Sequence, residues 1–307
     1  MAFGVDLVTF YHPSFWGVSD YAQIAALAGR DLPAFWNKLF DAVRDSGVRG
    51  VETTFSPFHW RDAVAAFGSA EAVATALTAR GLTLASGFLV DLDREADLAS
   101  AAAQARILAE ARDYARFIRA CGGGVMVVGM PCRRTFLLEP VRVVDLAMAA
   151  PLADFINRLG IETAREGVRL ALHTEAHSVF CAPRDIDLFM LLTDPRYVHF
   201  CPDSAHIALE GGDPVAVAAR HQERICIAHW KDATAGMPID TVINAGIHDR
   251  HKPFFCPMGE GIVAWDRWAD LIRARGDAMW SILELDAAPD PVAAIRAGHA
   301  YAGSLTC

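Results

Sequence analysis

Short hydrophobic stretches bounded by turn residues recur along the whole chain. They lack the clean alternation of apolar and polar residues that is typical of a sheet with one solvated face. Nearly continuous hydrophobicity is instead typical of strands buried on both faces of a parallel sheet. The sequence therefore predicts eight strands, at residues 3–10, 48–55, 82–90, 124–130, 168–175, 197–203, 224–230 and 281–286.

Longer amphipathic stretches lie between the predicted strands. Over residues 104–119, Ile107, Ala111 and Ile118 recur at helical spacing, and charged residues occupy the opposite side. A glycine, which tolerates positive φ where a helix ends, precedes three of the strands. These glycines are Gly47, Gly81 and Gly167. The chain thus repeats the order helix, glycine, strand.

This alternation of strands and helices favours a closed (β/α)8 TIM barrel of the α/β class, and we expect residues 1–307 to form a single domain. The alternative is an open Rossmann-like sheet, which is disfavoured because no predicted strand is followed by GxGxxG. Residues 231–264 are rich in glycine and proline and show little periodicity. They predict a long loop over the barrel mouth, and loops of this length are usually functional.

Composition and charge narrow the classes of function. At 53% hydrophobic residues the chain can bury a large core. Its 28 Lys and Arg residues form no basic cluster among 37 Asp and Glu residues, and the net charge of −9 disfavours a nucleic-acid partner. Because we find neither a signal peptide nor an apolar run of about eighteen residues, we expect a cytoplasmic protein that does not enter a membrane. The seven cysteines form no CxxC pair and predict buried thiols, not a disulfide framework.

Polar side chains collect where the last four predicted strands end. The carboxyl ends of barrel strands form the face that carries active sites. These residues are His173, Glu175 and His177 at or just past the end of the fifth strand, Asp203 and His206 at that of the sixth, His229 and Lys231 at that of the seventh, and Glu284 at that of the eighth. Like charges crowded at one rim are costly without a cation. The pattern therefore predicts a divalent metal site.

The predicted metal ligands are Glu175, Asp203, His229 and Glu284. Three carboxylates and one imidazole make a hard, oxygen-rich set, which favours Mn²⁺, with Mg²⁺, Co²⁺ or Zn²⁺ as alternatives. His173 lies two positions before Glu175 on the same predicted strand, so both face the same side. His173 is therefore an alternative to Glu175 as the ligand from this strand.

Five short motifs follow one another in the second half of the chain. They are Glu-x-His (Glu175 to His177), Asp-x-x-His (Asp203 to His206), His-x-Lys-Asp (His229 to Asp232), Gly-Glu-Gly before Trp265 (Gly259 to Gly261) and Glu-x-Asp (Glu284 to Asp286). Together they resemble the xylose-isomerase-like barrels, a family that includes sugar epimerases, hydroxypyruvate isomerase and inosose dehydratase. The first half of the chain resembles this family only in its alternation of strands and helices.

The resemblance implies a role for several residues. It implies that Glu175 and Glu284 bind the metal and act as an acid/base pair. Asp203 and His229 would complete the coordination, and His206 would contact the substrate.

Further residues are expected to act on the substrate or to bind it. Lys231, together with His206, is placed to stabilise an oxyanion or to protonate a leaving group. The predicted substrate contacts are His173, His177, Glu52 at the end of the second strand, and Trp16 in an aromatic set after the first strand. For Trp16, ordinary core packing is an equal alternative.

These features predict a metal-dependent sugar isomerase or epimerase that abstracts a proton next to a carbonyl. The alternative is a metal-dependent lyase or dehydratase on a keto-inositol, keto-sugar or 3-keto-glycoside, favoured by the long loop at 231–264 and the ending from Asp286 to Pro291. An AP-endonuclease-like nuclease is disfavoured by the acidic charge, and a non-catalytic sugar-binding barrel by the crowded carboxylates. The expected partner is a small sugar or cyclitol. Because partner subunits complete such rims in similar barrels, a homo-oligomer is also compatible with the resemblance.

Overall fold

The computed structural model describes residues 1–94, 98–133, 142–276 and 279–305. Within them, eight parallel strands form one sheet in the order β6-β5-β4-β3-β2-β1-β10-β7. Their bounds are β1 (Ala2–Asp6), β2 (Gly50–Thr53), β3 (Thr83–Leu89), β4 (Val125–Val128), β5 (Arg169–His173), β6 (Val198–Cys201), β7 (Ile227–Trp230) and β10 (Trp280–Leu283). Each of the eight predicted strands is present.

The sheet closes into a barrel where β6 meets β7. Parallel bridges join Phe200 to Ile225 and Asp203 to His229, and the backbone N–H of Cys226 donates to the carbonyl of Phe200. The predicted (β/α)8 TIM barrel is therefore confirmed, and the open Rossmann-like alternative is wrong.

Helices surround the barrel and follow its strands in sequence. They are α1 (Pro13–Trp16), α2 (Tyr21–Arg30), α3 (Leu32–Ser46), α4 (Trp60–Phe67), α5 (Ala70–Thr78), α6 (Asp91–Arg94), α7 (Ala101–Ala120), α8 (Leu146–Arg165), α9 (Pro183–Leu192), α10 (Ser204–Leu209), α11 (Pro214–Arg220), α12 (Ile247–His251), α13 (Trp265–Arg273) and α14 (Pro291–Ser304). Short 3-10 helices cover Leu7–Phe10, Gln222–Arg224 and Lys252–Phe254. Among the described residues, no helix is both long and apolar enough to cross a membrane.

The three glycines predicted to end helices have positive φ. The angle is 91° at Gly47, 71° at Gly81 and 75° at Gly167. Side chains with a Cβ rarely adopt this left-handed conformation, so glycine lets the chain turn from each helix into the next strand at little cost.

Buried apolar side chains on and beside the barrel strands form one cluster. They are Ala85, Val125, Val127, Ala171, Cys201, Cys226, Ile227 and Ile282. A larger apolar layer lies between the strands and the helices. The described cysteines are free thiols, and Cys201 and Cys226 are buried as predicted; Cys307 lies outside the described residues.

The segment predicted as a long loop, residues 231–264, contains little regular structure. It begins with β8 (Asp232–Ala233), which pairs antiparallel with β9 (Phe255–Cys256), and α12 lies between these two strands. The carboxylate of Asp232 accepts backbone N–H bonds from Gly259 and Gly261, at 2.9 and 3.1 Å. One buried carboxylate therefore holds the end of the segment beside its beginning.

Candidate active site

Four side chains at the carboxyl ends of barrel strands converge on one point. His173 is the last residue of β5, Asp203 follows β6, His229 lies in β7 and Glu284 follows β10. One ligand atom from each lies within 4.8 Å of those of the other three. We call these residues the four-residue group.

The four-residue group is buried, and its polar atoms are incompletely paired. Nδ1 of His229 lies 2.7 Å from Oε2 of Glu284, whereas Nε2 of His173 is 3.7 Å from Oδ2 of Asp203. Within the part of the chain that the structure describes, neither ring nitrogen of His173 nor Oδ2 of Asp203 has a hydrogen-bond partner. Buried polar atoms without a hydrogen-bond partner are rare in protein interiors, because they lose their bonds to water and gain none from the protein. Two imidazoles and two carboxylates in this arrangement fit a divalent transition-metal cation.

Neighbouring charges keep the two carboxyl groups of this group ionised. Burial raises the pKa of Asp203, but the neighbouring His206 and the ammonium of Lys231 outweigh burial and lower it. For Glu284, Lys231 likewise outweighs burial and holds the pKa well below its usual value. Carboxylates must be ionised to bind a metal, so the local charges suit this role.

Glu175 lies beside the four-residue group but contacts different partners. Its Oε2 is 3.7 Å from Nδ1 of His173 and 3.5 Å from Nε2 of His206. Its Oε1 is 3.4 Å from Nδ1 of His248 and 3.7 Å from Nδ1 of His251. Burial opposes the charge, but His206, His248 and His251 hold the pKa of Glu175 well below its usual value.

A buried lysine connects three further polar groups. Nζ of Lys231 lies 2.6 Å from Oε1 of Glu284, 2.7 Å from Oδ1 of Asp286 and 3.2 Å from Nε2 of His206. Burial disfavours the ammonium, yet the two carboxylates raise the pKa of Lys231 well above its usual value. Burial lowers the pKa of His206 to about 3, so its ring is neutral at pH 7. Lys231 is therefore a charged proton donor.

A cavity of about 270 Å³ opens above these groups. Its walls come from the strand ends of the first and second halves of the chain and from the long loop. The charged and imidazole side chains that line it are Asp6, His173, Glu175, His206, Lys231, His248, Lys252, Glu284 and Asp286. The volume is at the low end for ligand sites, which favours a small, polar ligand.

A family model described as "Xylose isomerase-like TIM barrel" matches residues 40–304. The chain belongs to this family. The resemblance predicted from the five motifs is thereby confirmed.

Several curated proteins match parts of the chain. Inosose dehydratase from Lacticaseibacillus casei is 27% identical over 146 residues, which cover 45% of this chain and 47% of that protein. Inosose dehydratase from Bacillus velezensis is 34% identical over 82 residues, or 27% of this chain and 28% of that protein. Rhizopine catabolism protein MocC from Rhizobium meliloti is 27% identical over 166 residues, which cover 50% of this chain and 47% of that protein. The chain thus spans about half the length of these relatives, or less.

Solved structures resemble the whole chain in fold. The IOLI protein with a bound zinc atom has a TM-score of 0.71 and 12% identity, over 99% of this chain and 98% of that one. The 3-keto-D-glucoside 4-epimerase YcjR from E. coli has a TM-score of 0.69 and 16% identity, over 99% of both chains. At this identity the likeness concerns the fold alone.

In this xylose isomerase-like barrel, the structure separates Glu175 from the other predicted metal ligands. Strand β5 ends at His173, so the alternation of faces along a strand does not extend to Glu175. His173 joins Asp203 and Glu284 in the four-residue group, and Glu175 joins His248 and His251 in a second group. The alternative ligand from the sequence, His173, is therefore the one that the geometry favours.

Three residues predicted to contact substrate lie away from the cavity. Trp16 is buried, donates its Nε1–H to the carbonyl of Phe10 at 2.8 Å and stacks on Phe35. Glu52 is fully buried, with Oε1 3.0 Å from Nε2 of His229. His177 is buried as well. Trp16, Glu52 and His177 are absent from the described residues that line the cavity, and these positions do not fit direct contact with a ligand there.

The sequence prediction did not include His248, His251 and Asp6 among the site residues. His248 and His251 form an H-x-x-H pattern inside the long loop, and on a helix this spacing places both rings on one side. That pattern was the available signal. Asp6 ends β1 and packs beside Glu52 and His229, a contact that no local pattern indicates.

Proposed function

We propose that the chain is a metal-dependent dehydratase that acts on a keto-inositol or a related keto-sugar. The observation that carries this proposal is the four-residue group at a cavity wall, next to the buried ammonium of Lys231. Dehydration needs stabilisation of an enolate-like intermediate and an acid for the leaving hydroxyl group, and this arrangement supplies candidates for both. The relatives named inosose dehydratase support the choice of reaction and substrate class.

His173, Asp203, His229 and Glu284 would hold the metal ion. Compared with the set predicted from sequence, a second imidazole replaces a carboxylate, which favours Mn²⁺, Co²⁺ or Zn²⁺ over Mg²⁺. When bound, such a cation polarises a substrate carbonyl and thereby acidifies the neighbouring C–H bond.

Glu175 is the proposed base that removes the proton from this carbon. Its carboxylate lines the cavity, its side chain is 18% exposed, and it lies outside the four-residue group. His206, 3.5 Å from Oε2 of Glu175, positions this carboxylate. Glu284, in contrast, is already bonded to both His229 and Lys231.

Lys231 is the proposed acid that completes the elimination. As the C–H electron pair forms the new double bond, the bond to the β-hydroxyl breaks, and Nζ of Lys231 donates the proton with which that group leaves as water. Asp286, bonded to Nζ at 2.7 Å and 20% exposed, is placed to return a proton from solvent.

Isomerisation or epimerisation is the second candidate function. It would use the same base and intermediate but return a proton to carbon instead of expelling water. The observation that favours it is that Glu175 and Lys231 both lie close to Nε2 of His206, at 3.5 and 3.2 Å, so two proton-carrying groups border one cavity.

Proton NMR of a keto-inositol in D₂O tests the proposal. With one equivalent of Mn²⁺, Co²⁺ or Zn²⁺ per chain, we expect the α-proton signal to disappear and an unsaturated or dione product to accumulate. Deuterium incorporation without elimination selects the isomerase or epimerase. Glu175→Gln should abolish exchange, whereas Glu71→Gln on the exposed face of α5 should leave it unchanged. Absence of any metal-dependent exchange with keto-inositols and keto-sugars overturns both candidate functions.

A metal-dependent nuclease is an alternative from a different class of function. The net charge of −9 argues against binding a phosphate backbone, although the second group of ligands would allow more than one metal. We expect no cleavage of duplex DNA with an abasic site when Zn²⁺ or Mn²⁺ is present. Metal-dependent cleavage that is lost in Asp203→Asn would replace the sugar-based proposal.

A further inference from the structure

The long loop brings two histidines to the carboxylate of Glu175. His248 and His251 lie on α12, and Glu175 follows the end of β5. One ligand atom of each lies within 4.8 Å of the other two. We call these residues the loop group. It shares no residue with the four-residue group.

The distances within the loop group match those between ligands of one cation. Nδ1 of His248 and Nδ1 of His251 lie 3.4 and 3.7 Å from the same atom, Oε1 of Glu175. In tetrahedral Zn²⁺ sites, bonds of about 2.0–2.1 Å place neighbouring ligand atoms roughly 3.4 Å apart. Direct imidazole–carboxylate hydrogen bonds are shorter, at about 2.7–2.9 Å. The spacing therefore fits a shared cation better than two direct hydrogen bonds.

The second nitrogen of each loop histidine faces another partner. Nε2 of the buried His251 lies 2.9 Å from Nδ1 of His177, and Nε2 of His248 lies 4.0 Å from Sγ of Cys132. Metal-binding histidines usually donate their second N–H to an acceptor, which fixes the ring, and Nδ1 of His177 can serve as that acceptor for His251. His177 has φ of 63°, a conformation that side chains with a Cβ rarely adopt and that is concentrated at functional sites.

We propose that Glu175, His248 and His251 bind a second divalent cation, with Zn²⁺ as the ion that this set favours. Two imidazoles and one carboxylate are a common set of three protein ligands for zinc, and they leave a position open for water or another ligand.

A cation in the loop group would tie the loop to the barrel. His248 and Lys252 form part of the cavity wall, and Glu175 belongs to the strand-end face of the barrel. The cation therefore holds α12 over the cavity. It also occupies Oε1 of Glu175, so, if the proposed role of Glu175 as the base holds, filling the loop group inhibits the reaction.

Counting bound zinc tests the proposal without any substrate. Metal-free protein is dialysed against buffered Zn²⁺, and metal and protein are quantified by elemental analysis. We expect two zinc ions per wild-type chain, one in His248→Ala and one in Asp203→Asn, which disrupts only the four-residue group. Asp240→Asn, an exposed change in the same loop, should keep two.

The stoichiometries distinguish failure of this inference from failure of the proposed function. One zinc in wild type, one in His248→Ala and none in Asp203→Asn would overturn the loop site and keep the four-residue site. One zinc in wild type, none in His248→Ala and one in Asp203→Asn would keep the loop site and remove the basis of the proposed function. If His248→Ala fails to fold, as judged by circular dichroism, His248→Gln serves instead, because the ring is half exposed.

Hydrogen exchange of the loop provides a second readout. Added Zn²⁺ should slow amide exchange over residues 244–255 in wild type and in Asp203→Asn, but not in His248→Ala. Equal protection in all three proteins would overturn the link between the cation and the loop. With substrate, the activity of the wild-type protein should rise with the first equivalent of Zn²⁺ and fall with the second.

Discussion

Nε2 of His229 lies 3.0 Å from Oε1 of the fully buried Glu52, while Nδ1 of the same ring lies 2.7 Å from Oε2 of Glu284. The imidazole thus lies between two carboxylates: that of Glu284, which belongs to the four-residue group, and that of Glu52, which does not. A carboxylate behind a metal-binding histidine fixes the ring and makes it a better ligand.

Replacing Glu52 with glutamine should therefore weaken metal binding although Glu52 does not line the cavity. We expect a loss of affinity of about 10- to 100-fold, measured by competition with a chromophoric chelator. Ser86→Ala removes only the hydrogen bond that Ser86 donates to Glu52 and should cause a smaller loss. An unchanged affinity in Glu52→Gln would contradict this orienting role.

Lys231 should matter for stability as well as for chemistry. Its ammonium is 1% exposed and lies between Glu284 and Asp286. Lys231→Met leaves the largely buried Glu284 and the partly exposed Asp286 without their cation, which should lower the free energy of unfolding by about 3–5 kcal/mol in metal-free protein.

Urea unfolding at pH 7 with chelator present measures this change, and Lys252→Met is the matched control. Lys252 pairs with Asp249 at the surface, where the two side chains are 36% and 79% exposed. Such a pair contributes about 1 kcal/mol or less. Equal losses of unfolding free energy in the two variants would show that the buried ion pairs of Lys231 stabilise the fold no more than a surface ion pair does.

The barrel could be predicted because its strands are buried on both faces. Continuous apolar stretches such as 124–130 carry that signal locally, and Gly47, Gly81 and Gly167 mark the preceding turns. The predicted strands run beyond the observed ones; β5, for example, was predicted to 175 and ends at His173. Side chains alone do not reveal where backbone pairing stops.

Because the end of β5 could not be predicted, the sequence left open whether His173 or Glu175 is the ligand from this strand. A period of two places His173 and Glu175 on the same face only while the strand continues. Because β5 ends between them, they join different groups. The approach of His248 and His251 depends on how the long loop folds back, and the contact of Glu52 with His229 depends on barrel closure. Neither is encoded in local spacing.

Stability should fall with decreasing pH in part because of His199. Burial, followed by the nearby Arg169 and Arg224, lowers the pKa of this ring to about 4, whereas an unfolded histidine has a pKa of about 6.5. Between these values the unfolded chain binds more protons than the folded one, so protonation favours unfolding. The contribution is absent above about pH 6.5 and grows as pH falls toward 4.

Urea unfolding of wild type and His199→Gln at pH 7 and pH 5 measures this effect. The variant should lose less stability than wild type between the two values. Because metal-binding histidines add their own pH dependence, the comparison uses metal-free protein for both. Parallel losses would contradict a lowered pKa, and NMR titration of the His199 ring should give the same answer directly.

The end of the long loop should be sensitive to a single methyl group at Gly261. A Cβ there would lie 2.2 Å from Oδ1 of Asp232 and 2.4 Å from the carbonyl oxygen of Ala233. Asp232 also accepts a bond from Nε1 of Trp265 at 2.7 Å. Gly261→Ala must therefore displace the carboxylate that holds the loop, at a cost of about 1–3 kcal/mol.

Hydrogen exchange should locate this damage in the loop and not in the barrel. We expect faster exchange over residues 255–265 in Gly261→Ala, with strands β1 to β6 unchanged. Gly29→Ala is the control, because a Cβ there meets no atom within 4 Å and alanine is favoured inside α2. If Gly261→Ala leaves the loop amides as protected as in wild type, Asp232 does not anchor the loop. A uniform rise in exchange across the barrel would instead mean that the loop and the barrel unfold as one cooperative unit.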